Sequence, residues 1–305
     1  MSKVLITGVA GFIGSHVARR FIQEGYAVVG VDDLSTGNIA DVHSDVEFIA
    51  GDLSEASIVD KIPNDCTILL HLAGQSSGEI SFDDPVNDLT KNTVSTLNLI
   101  RYGITNNVDR LVYASSMSVY GAVPDTPVAE SAGCNPLSCY GVGKHASEQY
   151  LRVYQKQLPF VSMRMFNVYG PGQNMTNLRQ GMISIYLSQA LAGGSITVKG
   201  RLDRFRDFIF IDDVVEAWFR AAHYQKAVGQ FINIGTGVKT YVHDLLQKIC
   251  ELVQGADYFL EGQTPGDQSG IYADTSNLTN ILGMNSWIPL EVGLQKFVDW
   301  NREIK

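Results

Sequence analysis

The sequence lacks the features that mark membrane-bound, secreted and disordered chains. None of its apolar runs approaches the length needed to cross a bilayer. A charged content of 18% and an apolar content of 45% exclude a disordered chain. Met1, Ser2 and Lys3 lead directly into a strand-like run, which leaves no room for a signal peptide. We therefore expect a cytoplasmic globular protein that does not act on membranes.

Patterns for binding metals and nucleic acids are also missing. The four cysteines, Cys66, Cys134, Cys139 and Cys250, show neither a CxxC pair nor a Cys/His spacing, so we expect no metal site and no disulfide framework. The formal net charge of −9 is spread without long blocks. A nucleic-acid surface would instead concentrate Lys and Arg, so we expect no nucleic-acid partner.

Short β-branched runs alternate with longer helical patterns through the first half of the chain. This alternation implies parallel strands joined by right-handed crossovers, and hence a sheet covered on both faces. Ligands of such sheets bind beyond the carboxyl ends of the strands. The sequence predicts an α/β fold with a doubly wound parallel sheet, whose first six strands are KVLIT, YAVVGV, VEFIA, TILLH, RLVYA and FVSMRM.

The alternation stops after Asn167, where a loop rich in Gly and Asn, VYGPGQNMTN, begins. We assign residues 1–167 to the first domain and residues 168–305 mainly to a smaller, mixed α/β lobe. The runs FIFI (208–211) and QFINIG (230–235) resemble core strands. We therefore expect residues 207–235 to return to the first domain.

A glycine-rich turn follows the first strand. Gly8, Gly11 and Gly14 form a GxxGxxG pattern that leads at once into a helix. Such glycines let backbone N–H groups approach a pyrophosphate at a helix N-terminus, although three glycines alone could form a structural turn. Asp32, at the end of the second strand and 18 residues after Gly14, completes the pattern of a dinucleotide site. Its carboxylate favours NAD over NADP, because it would bind the adenosine ribose and repel a 2′-phosphate.

Two further strand ends indicate the same cofactor. Asp52, in the Gly-Asp-Leu that follows the third strand, could meet the adenine amino group or could cap a helix. Ala73 and Gly74 follow the fourth strand, where a larger side chain would obstruct the cofactor.

Candidate catalytic residues follow the fifth strand, which ends in ASSMSVYG. Serines often mark strand ends through turn hydrogen bonds, but Ser116 also precedes a YxxxK pair, Tyr140 and Lys144, that shares one helix face. Tyrosine, with a pKa near ~10, is a base at neutral pH only where positive charge favours its phenolate. The Lys144 ammonium and an oxidised nicotinamide would supply that charge, and a lowering of roughly three pKa units requires ~4 kcal/mol. We predict that Tyr140 removes a hydroxyl proton, that Ser116 holds the same oxygen, and that Lys144 also binds the nicotinamide ribose.

With these residues placed, the chain resembles the extended short-chain dehydrogenase/reductase family, in its branch of nucleotide-sugar epimerases and dehydratases. The matching motifs cover nearly the whole chain: GVAGFIG, VDDLSTG, GDL, HLAGQ, ASSMSVYG, YGVGK, FNVYGPGQN, RDFIFIDDVVEA, FINIGTG and PGDQSGIYAD. The resemblance implies a Rossmann-type domain, a tightly held NAD and a nucleoside-diphosphate sugar bound between the lobes. It assigns cofactor binding to Gly8, Gly11, Phe12, Ile13, Gly14, Asp32, Asp33, Ser35, Thr36, Gly37, Asp52, Leu53, Leu72, Ala73, Gly74, Asn92, Tyr140 and Lys144.

The resemblance also implies contacts with the substrate besides Ser116. Asn167 of the FN motif and Arg206 of the RDF motif would hold the sugar diphosphate. Asp267 of the PGD motif would contact the nucleotide ribose. Simpler alternatives stay open, since Arg206 could pair only with Asp207 or Asp212 and Asn167 could only order a turn.

Two arginines that are common in the family are absent. Thr264 and Pro265 stand where many relatives have an arginine shortly before the Gly-Asp of PGD, so a diphosphate contact is in doubt. Gly172 replaces the arginine of a GPRQ motif, which argues against a second cation for a uronic carboxylate.

The resemblance implies NAD-dependent epimerisation at C4 of a nucleotide sugar through a transient 4-keto intermediate. Ile271 stands where some hexose epimerases have tyrosine, so we expect a UDP-hexose or a UDP-N-acetylhexosamine. The alternatives are a 4,6-dehydratase or decarboxylase, a 4-keto reductase, and a non-catalytic dinucleotide-sensing or scaffold protein. Met117 and Ser118 occupy the positions of the dehydratase acid pair and cannot replace it, and Asp32 argues against a reductase that consumes NADPH.

Two predicted helices, which begin at Val86 and Ser138, resemble the pair that relatives use to dimerise as a four-helix bundle. We therefore expect a homodimer.

Overall fold

The computed structural model describes residues 2–262 and 269–303. Its strands are β1 (Lys3–Thr7), β2 (Ala27–Asp32), β3 (Val46–Ala50), β4 (Ile68–His71), β5 (Arg110–Ser116), β6 (Phe160–Met165), β7 (Asn167–Tyr169), β8 (Ser195–Val198), β9 (Phe205–Arg206), β10 (Phe208–Phe210), β11 (Phe231–Ile234), β12 (Thr240–Tyr241), β13 (Asp257–Leu260) and β14 (Gly270–Ile271). Its helices are α1 (Phe12–Gln23), α2 (Ala56–Val59), α3 (Pro85–Leu89), α4 (Ser95–Thr105), α5 (Cys139–Tyr154), α6 (Met182–Gly193), α7 (Ile211–His223), α8 (Val242–Leu252), α9 (Ser276–Leu282) and α10 (Leu290–Glu303). None of these described helices is both long and apolar enough to span a bilayer.

Seven strands form one parallel sheet in the order β11-β6-β5-β4-β1-β2-β3. Successive side chains alternate between its faces, so Val4 and Ile6 join one apolar cluster and Leu5 the opposite one. The sheet is therefore buried on both sides, as expected of parallel strands. This confirms the predicted doubly wound, Rossmann-type α/β fold. Because β1 lies between β2 and β4, the ligand crevice opens at the carboxyl ends of β1 and β4.

Helices cover both faces of this sheet. On one face, α1 and α7 pack together around Phe21 and Trp218, which are fully buried. On the other face, α4 and α5 contribute Leu99 and Leu151 to a second apolar cluster. The two clusters fix the distance of each helix from the strand ends, and hence the position of the site residues on α1 and α5.

The helical run over residues 85–105 departs from the sequence prediction of one regular helix from Val86 to Asn106. A π-helical turn, Thr90–Val94, separates α3 from α4. Asp84 caps the start of α3, since its side chain accepts a hydrogen bond from the Asn87 backbone N–H. A π turn adds one residue per hydrogen-bonded ring and is frequent at functional sites. Here it carries Lys91 and Asn92.

The smaller lobe combines short sheets with helices. The pairs are β7 with β10 and β8 with β13, and β12, β9 and β14 form a three-stranded sheet. Leu187, Leu245 and Phe297 lie in its apolar core. The runs QFINIG and FIFI were both predicted to return to the first domain. Residues 231–234 of the first run form the edge strand of the seven-stranded sheet, whereas residues 208–210 of the second pair with β7 outside that sheet. The lobe boundary at residue 167 stays a prediction.

Candidate active site

The glycine turn between β1 and α1 requires glycine for steric reasons. A Cβ atom at Gly14 would lie 2.0 Å from the Gly8 carbonyl oxygen, and one at Gly8 would lie 2.7 Å from the Ala73 nitrogen. Gly8 also has a φ of +70°, which favours glycine. Gly11, at the N-cap of α1, supplies no side-chain hydrogen bond, and the first helical turn has no acidic residue. The N–H groups at Phe12 and Ile13 are therefore suited to an anion such as a pyrophosphate.

Asp32 lies at the carboxyl end of β2, against the glycine turn. Its side chain accepts hydrogen bonds from the Ala10 N–H at 3.0 Å and the Leu34 N–H at 2.8 Å. Burial raises the pKa of Asp32, and these two donors oppose that rise. The carboxylate thus fixes the loop after β2 to the turn before α1.

The loop after β2 places four further predicted cofactor residues beside Asp32. The Asp33 carboxylate accepts hydrogen bonds from the N–H and the hydroxyl of Ser35. Gly37 packs against Ala10, where a Cβ atom would lie 2.8 Å from the Ala10 carbonyl carbon. Thr36 is exposed between them.

The Lys91 side chain links the loop after β2 to the loop after β3. Lys91 was not among the residues predicted from the sequence. Its ammonium contacts the Asp33 carboxylate directly and lies 2.7 Å from the Asp52 Oδ2 atom. Although burial opposes the effect, hydrogen bonds from Lys91 lower the pKa of Asp33 and of Asp52. The sequence contains no signal for this ion pair, because the three residues meet only through the packing of the π turn on the sheet.

Asp52 does not cap a helix, so that alternative is wrong. The N-cap of α2 is Glu55, while the Asp52 side chain accepts a hydrogen bond from the Ser54 N–H at 2.9 Å. Leu53 beside it is buried. One oxygen of Asp52 therefore orders the local turn, and the other faces Lys91.

The segment after β4 brings Leu72, Ala73 and Gly74 to the glycine turn and to Asn92. The N–H groups of Leu72 and Ala73 both lie 3.2 Å from the Thr7 hydroxyl oxygen. A Cβ atom at Gly74 would lie 2.5 Å from the Asn92 Oδ1 atom and 3.4 Å from the Lys144 Nζ atom. The missing side chain thus lets the Asn92 amide oxygen approach the backbone of Gly74 beside Lys144. The cofactor contact of Gly74 stays a prediction.

Ser116, Tyr140 and Lys144 are all buried at the carboxyl end of β5 and the start of α5. The Lys144 ammonium lies 5.7 Å from the centre of the Tyr140 ring. Ser138 caps α5 by accepting a hydrogen bond from the Gly141 N–H. The structure therefore brings the three predicted catalytic residues together.

The ionisation of this group depends strongly on burial. Burial raises the pKa of Tyr140 to about 12, although a hydrogen bond with the Ser116 hydroxyl lowers it in part. Burial lowers the pKa of Lys144 to about 8, and the Asp88 carboxylate opposes this. At neutral pH the unliganded site thus holds a neutral phenol and a largely protonated amine. A further positive charge is needed to make Tyr140 a base, consistent with the part predicted for an oxidised nicotinamide.

The buried side chains of Asp88 and Asn92 form a polar cluster with the half-buried Gln75, and only Asn92 was predicted from the sequence. The Asp88 Oδ1 atom accepts hydrogen bonds from the Gln75 Nε2 atom at 2.8 Å and the Asn92 Nδ2 atom at 3.1 Å. Asp88 lies four residues before Asn92, a spacing that could have marked the pair.

Two of the predicted substrate residues, Asn167 and Arg206, lie on short strands outside the seven-stranded sheet. Asn167 begins β7, and its Nδ2 atom donates to the Asp207 carbonyl oxygen at 2.9 Å and lies 3.7 Å from the Met117 sulfur. Arg206, on β9, pairs in register with Ile271 of β14 and donates to the Phe205 carbonyl oxygen. Asp267 lies outside the described residues.

Asp207, considered before only as a partner of Arg206, is fully buried and anchors this region. Its carboxylate accepts hydrogen bonds from Thr236 and from the backbone N–H groups of Gly237 and Ala273. It therefore fixes β10, the loop after β11 and the strand region after β14 around Asn167 and Arg206.

Comparisons with known proteins agree with this geometry. The profile of a family described as NAD dependent epimerase/dehydratase matches residues 4–235. A UDP-glucose 4-epimerase of Mycolicibacterium smegmatis is 35% identical over 311 residues, with 98% of each chain covered. The UDP-glucose 4-epimerase of Thermotoga maritima, solved with UDP-glucose, has a TM-score of 0.95 at 29% identity and 99% coverage of both chains. The UDP-glucose 4-epimerase of Thermus thermophilus, solved with NAD, has a TM-score of 0.90 at 30% identity, covering 98% of this chain and 99% of its own.

Proposed function

The chain belongs to the NAD-dependent epimerase/dehydratase family, and from this premise we propose that it interconverts the C4 epimers of a UDP-linked hexose or N-acetylhexosamine. It is an NAD-dependent nucleotide-sugar 4-epimerase, and its cofactor is NAD. The observation that carries the assignment is the buried group Ser116, Tyr140 and Lys144, which faces the crevice of a sheet with a complete dinucleotide pattern.

The residues present fit NAD. The uncapped first turn of α1 would hold the pyrophosphate at Phe12 and Ile13, and Gly74 leaves the space that a side chain would fill. Asp32 would bind the adenosine ribose and Asp52 the adenine amino group.

In the reaction, the chain's own residues move a proton and hold an oxygen. NAD, held by the glycine turn and Asp32, would supply the oxidant for C4 of the sugar and the hydride that restores C4 from the opposite face. Tyr140 takes the proton from the C4 hydroxyl and gives it back after the 4-keto sugar has turned over. Ser116 holds that oxygen by a hydrogen bond, and the Lys144 ammonium stabilises the Tyr140 phenolate. Both the hydride and the proton return, so NAD is not consumed.

The substrate diphosphate would lie near Asn167 and Arg206, and Asp267 is proposed for the nucleotide ribose. Arg206 supplies a guanidinium fork suited to phosphate oxygens. Met117 and Ser118 follow Ser116 as a short 3₁₀ turn and provide no carboxyl group. A protein that eliminates water from the sugar needs an acid to protonate the leaving hydroxyl, so dehydration is disfavoured here.

A product analysis tests this function. The NAD-loaded protein is incubated separately with UDP-glucose, UDP-galactose and their N-acetylamino counterparts, and the sugars are separated. We expect one pair of C4 epimers to approach the same equilibrium mixture from either side, and Tyr140→Phe to abolish this. A 4-keto-6-deoxy product would instead identify a dehydratase, and an unchanged sugar in every reaction would overturn the proposal.

We also propose that the protein is a homodimer. Val86 and Leu89 on α3, and Val142 and Val153 on α5, are exposed apolar side chains. The two helices pack against each other, so these side chains offer a surface that a second copy could cover.

We place the protein in the cytoplasm. All four cysteines fall within the described ranges and are unpaired, and Cys66 is buried. Unpaired thiols are usual in a reducing compartment. Microscopy of a tagged chain in its own cells would test this placement.

A further inference from the structure

Asp88 is a buried carboxylate with one oxygen that no described residue satisfies. Only 1% of the residue is exposed. Its Oδ1 atom accepts two hydrogen bonds, from Gln75 and Asn92, while its Oδ2 atom has no hydrogen-bond partner among the described residues. Burying a carboxylate oxygen without a donor is costly, so such an oxygen calls for an explanation.

This free oxygen lies against the helix that carries the catalytic pair. A Cβ atom at Gly143 would lie 3.6 Å from the Asp88 Oδ2 atom. Gly143 immediately precedes Lys144, and the missing side chain lets α3 approach α5 closely. The carboxylate is therefore close to the backbone that leads into Lys144, and its charge opposes the lowering of the Lys144 pKa by burial.

The orientation of Asn92 depends on the same carboxylate. Because the Asn92 Nδ2 atom donates to Asp88, its Oδ1 atom must face the other way. That oxygen also has no partner among the described residues, and it lies at Gly74, next to the Lys144 Nζ atom. Two buried acceptor oxygens without a described donor, one on Asp88 and one on Asn92, thus lie in the region of the buried Lys144 ammonium.

We propose that Asp88 is a positioning residue for the epimerisation: its carboxylate keeps Lys144 in the ammonium form and orients the Asn92 amide oxygen toward it. The inference rests on the proposed function only in that Lys144 assists Tyr140. Asp88 itself touches neither reacting atom.

The charged and titratable groups around Asp88 are few. Lys144 and Tyr140 face it from α5, and Tyr113 from β5 and His71 from β4 lie beyond Lys144. His71 is neutral at neutral pH, because burial lowers its pKa to about 3. Burial also raises the pKa of the Tyr113 phenol, so it stays neutral. The Asp88 carboxylate raises the pKa of Lys144 and also that of Tyr140.

Asp88→Asn removes the charge and keeps the shape. Without the carboxylate, Lys144 should lose its proton at lower pH and Tyr140 should form its phenolate at lower pH. The acid limb of the kcat profile follows Tyr140 and the alkaline limb follows Lys144. We expect both limbs to move to lower pH together, by about one pH unit.

The experiment measures kcat against pH for the NAD-loaded wild type, Asp88→Asn and Asp84→Asn. Asp84 lies on the same helical run but is exposed, and an asparagine there can still cap α3. The control should keep the wild-type profile. A lower kcat with both limbs unmoved in Asp88→Asn would show a merely structural role and would overturn the proposal.

A second measurement does not depend on epimerisation. Ultraviolet titration of the NAD-loaded protein, as a difference from the matching Tyr140→Phe variant, follows the Tyr140 phenolate alone. The midpoint should be about one pH unit lower in Asp88→Asn. A lower midpoint in a protein that epimerises no UDP-sugar would refute the proposed function and support this inference. An unchanged midpoint in a protein that does epimerise a UDP-sugar would refute this inference and support the proposed function.

Gln75→Met covers the case in which Asp88→Asn does not fold. Burial raises the pKa of Asp88, and the hydrogen bond from Gln75 opposes this rise, so the loss of Gln75 should make the carboxylate easier to protonate. We expect both limbs to move in the same direction as in Asp88→Asn, by a smaller amount. Limbs that stay in place in a folded Gln75→Met protein would count against the proposal.

Discussion

Ser115 and Ser116 are adjacent on β5 but have different roles, because successive side chains of a strand point to opposite faces of the sheet. Ser115 donates to the Glu148 carboxylate at 2.7 Å, inside a buried cluster that also contains Arg164. Ser116 accepts a hydrogen bond from the Ser118 N–H at 3.1 Å and faces Tyr140. The turn and the catalytic interpretation of Ser116 are therefore compatible. The hydroxyl oxygen accepts within the turn, and the hydroxyl proton, which is donated to the Ser118 hydroxyl oxygen at 3.2 Å, can rotate to a sugar oxygen.

Replacing each serine by alanine should separate the two purposes. Ser116→Ala removes a donor to the oxygen at which charge develops, so kcat should fall about 100-fold. Ser115→Ala removes a buried hydrogen bond far from the sugar, so the free energy of unfolding should fall by ~1 kcal/mol while kcat is retained. Steady-state kinetics and urea unfolding of both variants measure this. Equal losses of kcat in the two variants would contradict the assignment of Ser116.

Lys91 should matter for cofactor affinity. It neutralises the carboxylates of Asp33 and Asp52, which lie on two loops of the proposed adenosine pocket. In Lys91→Met these carboxylates would repel each other and would have to be desolvated without a counter-ion. We expect the Kd for NAD to rise about tenfold, which corresponds to ~1.4 kcal/mol.

Calorimetric titration of the NAD-stripped protein measures that Kd. Lys248→Met is a matched control, because Lys248 also pairs with a carboxylate, Glu291, but on the surface of the smaller lobe. A Kd that is unchanged in Lys91→Met, or equally raised in the control, would refute the part proposed for Lys91.

At the scale of elements, the helical run over residues 85–105 shows what a single sequence can and cannot predict. The motif order identifies Asn92, and the apolar spacing predicts a helix. Neither predicts the π turn, which rotates the following residues relative to a regular helix. The contacts of Lys91 with the loops after β2 and β3 depend on that turn. The contact of Asp88 with α5 depends on packing between distant segments. Both residues were therefore missed.

The glycine turn, by contrast, was recognised from the sequence, because its steric requirement for glycine involves residues that are close together in the chain. A Cβ atom at Gly14 would lie 2.0 Å from the Gly8 carbonyl oxygen, so α1 or the turn must shift. We expect Gly14→Ala to lower the free energy of unfolding by ~2 to 3 kcal/mol and to weaken NAD binding. Gly193→Ala is the matched control, since Gly193 is also helical and a Cβ atom there meets nothing within 4 Å.

Urea unfolding of both variants, with and without NAD, provides the measurement. The control should be neutral or more stable by up to ~1 kcal/mol, because alanine favours a helix over glycine. If Gly14→Ala were as stable as Gly193→Ala, the close approach of α1 to the turn would be wrong.

At the scale of the whole molecule, the alternation of strand-like and helix-like segments predicted the fold class better than it predicted which strands pair. The six strands of the first half were placed within about two residues, because each is a compact apolar run between helices. The runs FIFI and QFINIG look alike in sequence, yet β10 pairs with β7 and β11 pairs with β6. An apolar run indicates burial but not the neighbour, which depends on the path of the chain through both lobes. The same limit applies to Asp207, whose carboxylate has partners on two segments distant in sequence, residues 236–237 and Ala273.

The homodimer is also a property of the whole molecule, and one substitution can test it. Val153, on α5, is 72% exposed, and in a two-fold dimer a single change there alters the interface twice. Val153→Asp would place a charge in an apolar contact, so the dimer should dissociate at least tenfold more readily. Val238→Asp is the control, because Val238 is 57% exposed but lies in the loop after β11, away from α3 and α5. Sedimentation velocity over a range of concentrations measures this. The four-helix arrangement is refuted by a wild type that stays monomeric, or by a dimer that both variants leave intact.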